Sequence, residues 1–403
     1  MTTARGWEDP PVSTYPARAV VDLDAIRHNT GLLAAHAPSS AVMAIVKADG
    51  YGHGLLPVAH AALAGGASWL GVAQVSEALT LRAAGITAPL LTWLYAPGAP
   101  LGRAITAGVD VSIPAAWALE EVLAAVAATG RTARIHLEVD SGLGRSGVMP
   151  RDLPALLRRA LTAQASGAVE VVGVWSHLAR ADEPGHPSVR AQAAVFEDAV
   201  RTVERAGAHL EVRHLAASAA VLTEPSVHYD LVRPGISVYG LSPIPDRATS
   251  AQLGLRPAMR LEAQLSVVKP VPEGQGVSYG HDYITPRPTH LGVVPIGYAD
   301  GVPRHASNTG PVQVGGRRFT VAGRVCMDQI VLDLGAAPGP DGPDTAGDVA
   351  VLFGAGDDGE PTAQDWADAA GTISYEIVTR VGPRVPRLYV GGEPAWIGPE
   401  AHA

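Results

Sequence analysis

The chain has 403 residues, enough for one large domain with a smaller companion or for two domains of ordinary size. A 47% hydrophobic and 17% charged composition excludes a disordered chain, and a net charge of −9 with no basic run argues against nucleic acid as a partner. The single cysteine, Cys326, excludes an intramolecular disulfide and a cysteine metal cluster, and no metal is expected.

Residues 1–16, MTTARGWEDPPVSTYP, are polar and proline-rich and read as a loose arm. They hold no apolar core of signal-peptide length, and no later stretch is built to span a membrane, so a cytoplasmic protein is expected. Short apolar runs rich in β-formers then alternate with helical patterns. The runs are ARAVVDL (17–23), AVMAIVKA (41–48), SWLGVA (68–73), PLLTWL (89–94), VDVSI (109–113), RIHLEVD (134–140), VVGVWSHL (171–178), VRHLAAS (212–218) and SVYG (237–240). Between them, segments such as DAIRHNTGLLAAHA and HPSVRAQAAVFEDAVRTVERAG place apolar residues at i, i+3 and i+4. Nearly continuous apolar strands separated by helices imply a parallel sheet buried on both faces. About eight such units predict an α/β fold, a (β/α)8 barrel over residues 1–255. From residue 256 the segments MRLEAQLSVVKPV, HLGVVPIG, PVQVGGRRFTVAGRV, QIVLDL and DVAVLFG read as strands, with one helix near TAQDWADAAG. Residues 256–403 are therefore expected to form a mainly-β domain.

Only two of the 30 Lys and Arg residues are lysines, Lys47 and Lys269. Arginine keeps its proton, whereas a partly buried lysine can lose it and attack a carbonyl compound. Lys47 ends an apolar run and meets a glycine-rich turn in AIVKADGYGHG, whereas Lys269 sits beside Pro270 in an ordinary strand-to-turn setting. In a parallel barrel the active site lies at the carboxyl ends of the strands. Those ends carry Lys47, the segment Asp140 to Arg145, His177, Ser218, and Arg233 with Gly235 and Ile236. An amine, fixed positive charges, a flat ring and a hydroxyl with backbone N–H groups suited to an anion suggest pyridoxal phosphate. Each feature alone is equally a core histidine, a surface arginine or a flexible loop; their sequence along successive strand ends is the signal.

The stretch VKADGYGHG resembles the cofactor-lysine motif of alanine racemases. The similarity continues through HLEVDSGLGRSG, GVWSHLARADE, DLVRPGISVYG, GVSYGHDY, IGYADGVPR, GRVCMDQIVLDL and ISYEIVTRVGPRVPRLY, across both expected domains. The resemblance implies that Lys47 holds pyridoxal phosphate and acts as acid or base on one face of the substrate, with Tyr279 on the other face from the second subunit of a homodimer. It implies phosphate binding by Tyr51, Ser218, Gly235, Ile236 and Tyr375. Arg145 would meet the cofactor's phenolic oxygen and the substrate, His177 would lie by the ring, and Arg233 would face the pyridine nitrogen. Tyr298 and the backbone of Met327 would bind the substrate carboxylate, and Asp182, Arg304, Arg324 and Ile373 would line the entry. Two acid/base groups suit a racemase, which removes a proton from one face and returns one to the other. A permanently charged Arg233 leaves the ring nitrogen unprotonated, which favours racemisation over transamination.

Two positions depart from the family's pattern. Glu138 stands where a carbamylated, hence anionic, lysine is usual, and Ala217 stands where an asparagine is usual. Glu138 is expected beside Arg145, holding its guanidinium as a two-bonded pair. The expected activity is interconversion of L- and D-alanine, supplying D-alanine for peptidoglycan. The rivals are a racemase of another small amino acid such as serine, a decarboxylase of the same architecture, and a non-catalytic cofactor-binding protein.

Overall fold

The computed structural model describes residues 16–336 and 344–392. All of the loose arm expected over residues 1–16 except Pro16 lies outside them. The described residues divide into two compact units, one holding Asp22–Ala258, the other holding Met259–Tyr389 together with residues 16–21.

The strands in chain order are β1 (Ala17–Asp22), β2 (Ala41–Ile45), β3 (Trp69–Gln74), β4 (Leu90–Leu94), β5 (Asp110–Ile113), β6 (Ala133–Glu138), β7 (Val169–Trp175), β8 (Val212–His214) and β9 (Leu231–Val232). Strands β2 to β9 form one eight-stranded parallel sheet in the order β8-β7-β6-β5-β4-β3-β2-β9. Strand β9 pairs with β2, while Asp230 and Arg233 donate to the carbonyls of Arg213 and Ala216 at the far edge, which closes the barrel. Strands β2, β3, β5 and β7 are buried along most of their length, because side chains of one set fill the interior and those of the other meet helices. The helix Pro187–Arg205 shows how the outer layer packs: Pro187 opens it, and Val189, Ala193, Phe196, Val200 and Val203 form its buried stripe.

Two strand assignments read from the sequence change. The run at 17–23 is not the first barrel strand. Strand β1 pairs antiparallel with Met259–Gln264 in the other unit, and its alternating burial fits a strand with one covered face. The run at 237–240 is not the last barrel strand either. Residues Ile236–Tyr239 form a 3-10 turn, and β9 takes the eighth place. Pro234 lacks a ladder N–H and Gly235 turns the backbone at φ −112°, ψ −93°, so no strand continues past them.

The second unit is mainly β. Its strands are β10 (Met259–Gln264), β11 (Val267–Val271), β12 (Gly276–Val277), β13 (Tyr283–Ile284), β14 (Thr289–Val294), β15 (Pro311–Val314), β16 (Arg317–Thr320), β17 (Ile330–Gly335), β18 (Val349–Phe353) and β19 (Arg387–Val390). A six-stranded sheet runs β16-β15-β18-β10-β1-β19, and a three-stranded sheet runs β11-β14-β17. The expected helix is Ala363–Ala370, capped by the Thr362 hydroxyl, and a second short helix, Ser374–Thr379, follows it. Lys269 is exposed on β11. Among the described residues no helix is long and apolar enough to cross a membrane.

Candidate active site

Strand β2 delivers Lys47 into an unusual turn. Ala48, Asp49, Gly50 and Tyr51 all have positive φ, between 51° and 58°, making one turn of left-handed helix. For residues with a Cβ this conformation costs about 1–2 kcal/mol each, so the surroundings must hold it. Glu77 does part of that work: one carboxylate oxygen accepts from the Ala48 N–H at 2.6 Å and the other from the Gln74 N–H at 2.9 Å. Asp49 accepts from the Leu55 N–H at 2.8 Å. The turn leaves Lys47 partly buried with its Nζ 5.8 Å from the centre of the Trp93 ring. Burial lowers the Lys47 ammonium's pKa, the charge of Arg145 lowers it further, and Glu77 opposes both. This favours the free amine.

Arg233 lies buried just beyond β9, the strand that pairs with β2. Its Nη2 donates to the carbonyls of Ser176 at 2.6 Å and Leu215 at 3.1 Å, and faces His177 Nδ1 at 3.4 Å. Its guanidinium also lies 5.0 Å from the centre of the Trp175 ring. Burial pushes Arg233 down to about 9, offset in part by Glu138, so it remains a cation at neutral pH. His177 is pushed down to about 3 by burial and by the charges of Arg233, Arg145 and Lys47. Burial and the guanidiniums of Arg233 and Arg145 therefore hold this ring neutral.

The anion cradle lies at the start of the short helix Ser218–Thr223. Ser218 Oγ accepts from the N–H of Gly235 at 2.8 Å and from that of Ser237 at 3.4 Å. A Cβ on Gly235 would fall 2.5 Å from the Tyr51 hydroxyl, so only glycine lets Tyr51, Ser218 and the Gly235–Ile236 backbone converge. Ser237 Oγ in the same turn is buried without a hydrogen-bond partner among the described residues. These features fit a phosphate. Ala217 occupies the cap position of the helix and offers no side-chain cap.

Glu138 is buried, and burial raises its carboxyl's pKa. It accepts from the hydroxyls of Ser146 and Ser112, the latter at 3.4 Å. The expected two-bonded pair with Arg145 is not formed: Arg145 stands exposed on the loop after β6 and acts on Glu138 only through space. Asp182 is exposed on the loop after His177.

The remaining predicted residues belong to the second unit. Tyr298 and Ala299 donate their N–H groups to the carbonyls of Cys326 and Met327, each at 3.0 Å, which sets Tyr298 beside Met327. Tyr279 follows Ser278, a residue with a Cβ held at φ 61°, ψ −172°, a region almost confined to glycine. The Ser278 hydroxyl donates to the Arg324 carbonyl at 2.7 Å, tying the neck of Tyr279 to the same loop. Arg324 pairs with Asp282. Tyr279 is 72% exposed, Met327 52% and Ile373 59%, so none is explained as core packing. Arg304 is exposed and Tyr375 half-buried on the helix Ser374–Thr379.

Residues 21–243 match the alanine racemase N-terminal domain, and residues 258–389 match the alanine racemase C-terminal domain. The chain belongs to the alanine racemase family. A relative from Beutenbergia cavernae, named alanine racemase, is 62% identical over 382 residues, covering 95% of this chain and all of that one. The crystal structure of alanine racemase from Streptomyces lavendulae superposes with a TM-score of 0.92 at 55% identity, covering 94% of this chain and 98% of that chain. The Bacillus anthracis alanine racemase, solved with bound L-Ala-P, superposes at 0.84 with 32% identity, covering 94% of this chain and 96% of that chain.

Within this racemase fold, several residues that shape the site are absent from the sequence reading. Glu77, which holds the turn after Lys47, sits in QVSEALTLR, an ordinary helix start. Asp110, His136 and His214 lie inside strands and are hidden among apolar neighbours, although all three are buried in the barrel unit. A polar residue at an inward-facing position of a barrel strand was the available signal. Asp282, the partner of Arg324, carries no signal because its pairing depends on the chain's return 42 residues later.

Proposed function

We propose that this chain is a pyridoxal-phosphate-dependent alanine racemase that interconverts L- and D-alanine with one acid/base group on each face of the substrate. The observation that carries this reading is the buried Arg233 cation, held by carbonyls beside a neutral His177, one strand away from a lysine biased toward its free amine. Pyridoxal phosphate supplies an aldehyde that bonds amines and a ring that draws electrons from the α carbon. Lys47 would carry it, with Tyr51, Ser218, Gly235, Ile236 and Tyr375 on its phosphate. His177 would lie by its ring, Arg145 by its phenolic oxygen and by the substrate, and Arg233 toward its ring nitrogen.

Lys47 Nζ takes or returns the α proton on one face, and the Tyr279 hydroxyl does so on the other. The lowered affinity of Lys47 for its proton makes the free amine, the form that acts as a base, more available. Tyr298 and the Met327 backbone bind the substrate carboxylate, and Asp182, Arg304, Arg324 and Ile373 line the approach. Glu138 supports the arrangement as a buried anion. The exposed aromatic and apolar side chains Tyr279, Tyr298, Met327 and Ile373 suit a face covered by a second subunit, so the working protein is a homodimer in which each partner lends Tyr279 to the other's site. It works in the cytoplasm, supplying D-alanine for peptidoglycan. A buried guanidinium in place of a carboxylate opposite the ring nitrogen separates this reading from a decarboxylase.

Chiral analysis of products from single-enantiomer amino acids tests the reading. Interconversion of the alanine enantiomers, with serine and larger substrates slower, is expected. Release of carbon dioxide, or no turnover of alanine by the cofactor-loaded dimer, would refute it.

A further inference from the structure

The interior of the barrel holds a chain of polar groups that the reaction does not touch. Arg233 Nη1 lies 3.0 Å from His214 Nδ1, and His214 Nε2 lies 2.9 Å from His136 Nδ1. His136 Nε2 lies 3.1 Å from Asp110 Oδ2. Asp110 Oδ1 accepts from Arg134 Nε at 3.0 Å, and the other two nitrogens of Arg134 grip Glu211, each at 2.8 Å. Both rings are wholly buried, and Asp110 nearly so. His214 stacks against Trp175 at 5.9 Å with 4° between the planes, and His136 meets Trp69 edge-on. Strand β7 makes room for His136 by carrying Gly173 opposite it; a Cβ there would fall 2.3 Å from Nδ1.

The two ends of this chain fix its direction. A guanidinium only donates and a carboxylate only accepts. Arg233 must donate to His214 Nδ1, so the His214 proton sits on Nε2 and points at His136 Nδ1. The His136 proton is then on Nε2 and points at Asp110. Reversing both rings would set donor against donor at Arg233 and acceptor against acceptor at Asp110, and reversing one alone would set like against like between the rings and at one end. A hydrogen bond made by one ring nitrogen sets the protonation of the other, and here that rule applies twice in series.

We propose that Asp110, His136 and His214 are positioning residues for Arg233: the carboxylate holds both ring protons on Nε2, so that His214 always offers Arg233 a lone pair and keeps the guanidinium in its place. The consequence for racemisation rests on the reading of Arg233 given above; the proton positions do not. Arg233 would be aimed by three acceptors, two of them carbonyls fixed by the backbone and the third a side chain set from the far end of the barrel.

The test has two arms on the full-length, cofactor-loaded protein. Two-bond proton–nitrogen NMR on ¹⁵N-histidine protein separates Nδ1–H from Nε2–H rings. Both rings should carry the proton on Nε2 in the wild type, and also in Arg233→Met, where only the carboxylate remains to hold them. A ring protonated on Nδ1 in the wild type, or rings that lose their fixed tautomer in Arg233→Met, would overturn the proposal. The second arm measures kcat. His136→Leu cuts the chain while leaving His214 and Arg233 in place, and should lower kcat about 10–100-fold, the usual effect of removing an outer partner of a functional ligand. Asp110→Asn still offers an amide oxygen to His136 and should lose less; its rings should stay protonated on Nε2. His136→Leu at a near-native rate would overturn the proposal, as would Asp110→Asn losing more than His136→Leu. If His136→Leu does not fold, the tautomers and Asp110→Asn decide alone. A wild type that racemises nothing yet shows both Nε2 protons would sink the racemase reading and leave the relay standing.

Discussion

Adding one methyl group at Gly235 should close the phosphate cradle. The new Cβ would fall 2.5 Å from the Tyr51 hydroxyl and 3.2 Å from Cζ of the same ring. Ordinary van der Waals contact begins near 3.4 Å, so the hydroxyl must retreat by 3.4 − 2.5 = 0.9 Å. Tyr51 has little freedom to do so, being buried and stacked at 4.7 Å on Tyr239, whose own hydroxyl donates to the Ile45 carbonyl at 2.9 Å. Overpacking of this kind costs about 1–3 kcal/mol. Gly235→Ala should therefore lower the stability of cofactor-free protein by that amount in urea unfolding, and should weaken pyridoxal phosphate binding about tenfold or more by titration. Tyr51→Phe in the same background removes the nearest atom and leaves the 3.2 Å contact. The double variant should thus recover most of the stability, though not the cofactor affinity, because Tyr51 is itself proposed to bind the phosphate. Contacting residues that behave additively here, with no recovery, would refute the packing argument. Native cofactor affinity in Gly235→Ala would refute the cradle.

Borohydride reduction followed by peptide mapping should place the pyridoxyl label on Lys47 and lose it in Lys47→Ala; a label on Lys269 would overturn the site. Tyr279→Phe should slow α-deuterium exchange starting from one enantiomer by about 10²–10⁴-fold and spare the other, the scale expected for loss of one acid/base group. Mixed dimers of Tyr279→Phe with Lys47→Ala should regain activity, and a proven heterodimer without any would place both groups on one chain. Stability should fall as pH drops below about 6.5. Burial holds His177 and His214 below that ordinary value, so the unfolded chain binds protons that the folded chain refuses, and the loss continues until the folded groups titrate. Each such ring should contribute about 1.4 kcal/mol per pH unit, and equal urea midpoints at pH 7.5 and 5.5 would contradict it.

Much of the fold is legible because the barrel strands are buried on both faces and announce themselves as apolar runs. The misreadings lie where that rule weakens. Strand β1 is short and apolar like its neighbours in sequence, but its partner, Met259–Gln264, comes more than 200 residues later, and no local pattern encodes such a pairing. Strand β9 has only two residues and is recognisable mainly by what stops it, Pro234 and Gly235. Lys47, His177, Ser218 and Arg233 stand out because each follows a strand. Glu77, Asp110, His136 and His214 do not, because their work is to hold other groups, and whom they hold depends on strand order around the barrel. The expected Glu138–Arg145 pair fails for a related reason: closeness in sequence does not carry an exposed loop residue down to a carboxylate buried at the strand end.

Glu138 gains a different meaning from its surroundings. Its charge helps keep the buried Arg233 protonated, and the charges of Arg145 and Arg233 in turn oppose the rise that burial imposes on Glu138. Taking the Glu138 charge away would therefore make the Arg233 cation less favourable, and taking the Arg233 charge away would raise Glu138 further. A glutamate here supplies a carboxyl with no need of the carbamylation that the resemblance implies for the family's usual lysine. Arg233 then answers to two anions, Glu138 acting through space and Asp110 through two imidazoles. That division has a physical reason. A carboxylate placed directly against the guanidinium would compete for the donors proposed to face the ring nitrogen, whereas one acting through space and one acting through the two rings stabilise the cation and leave a donor free for that role.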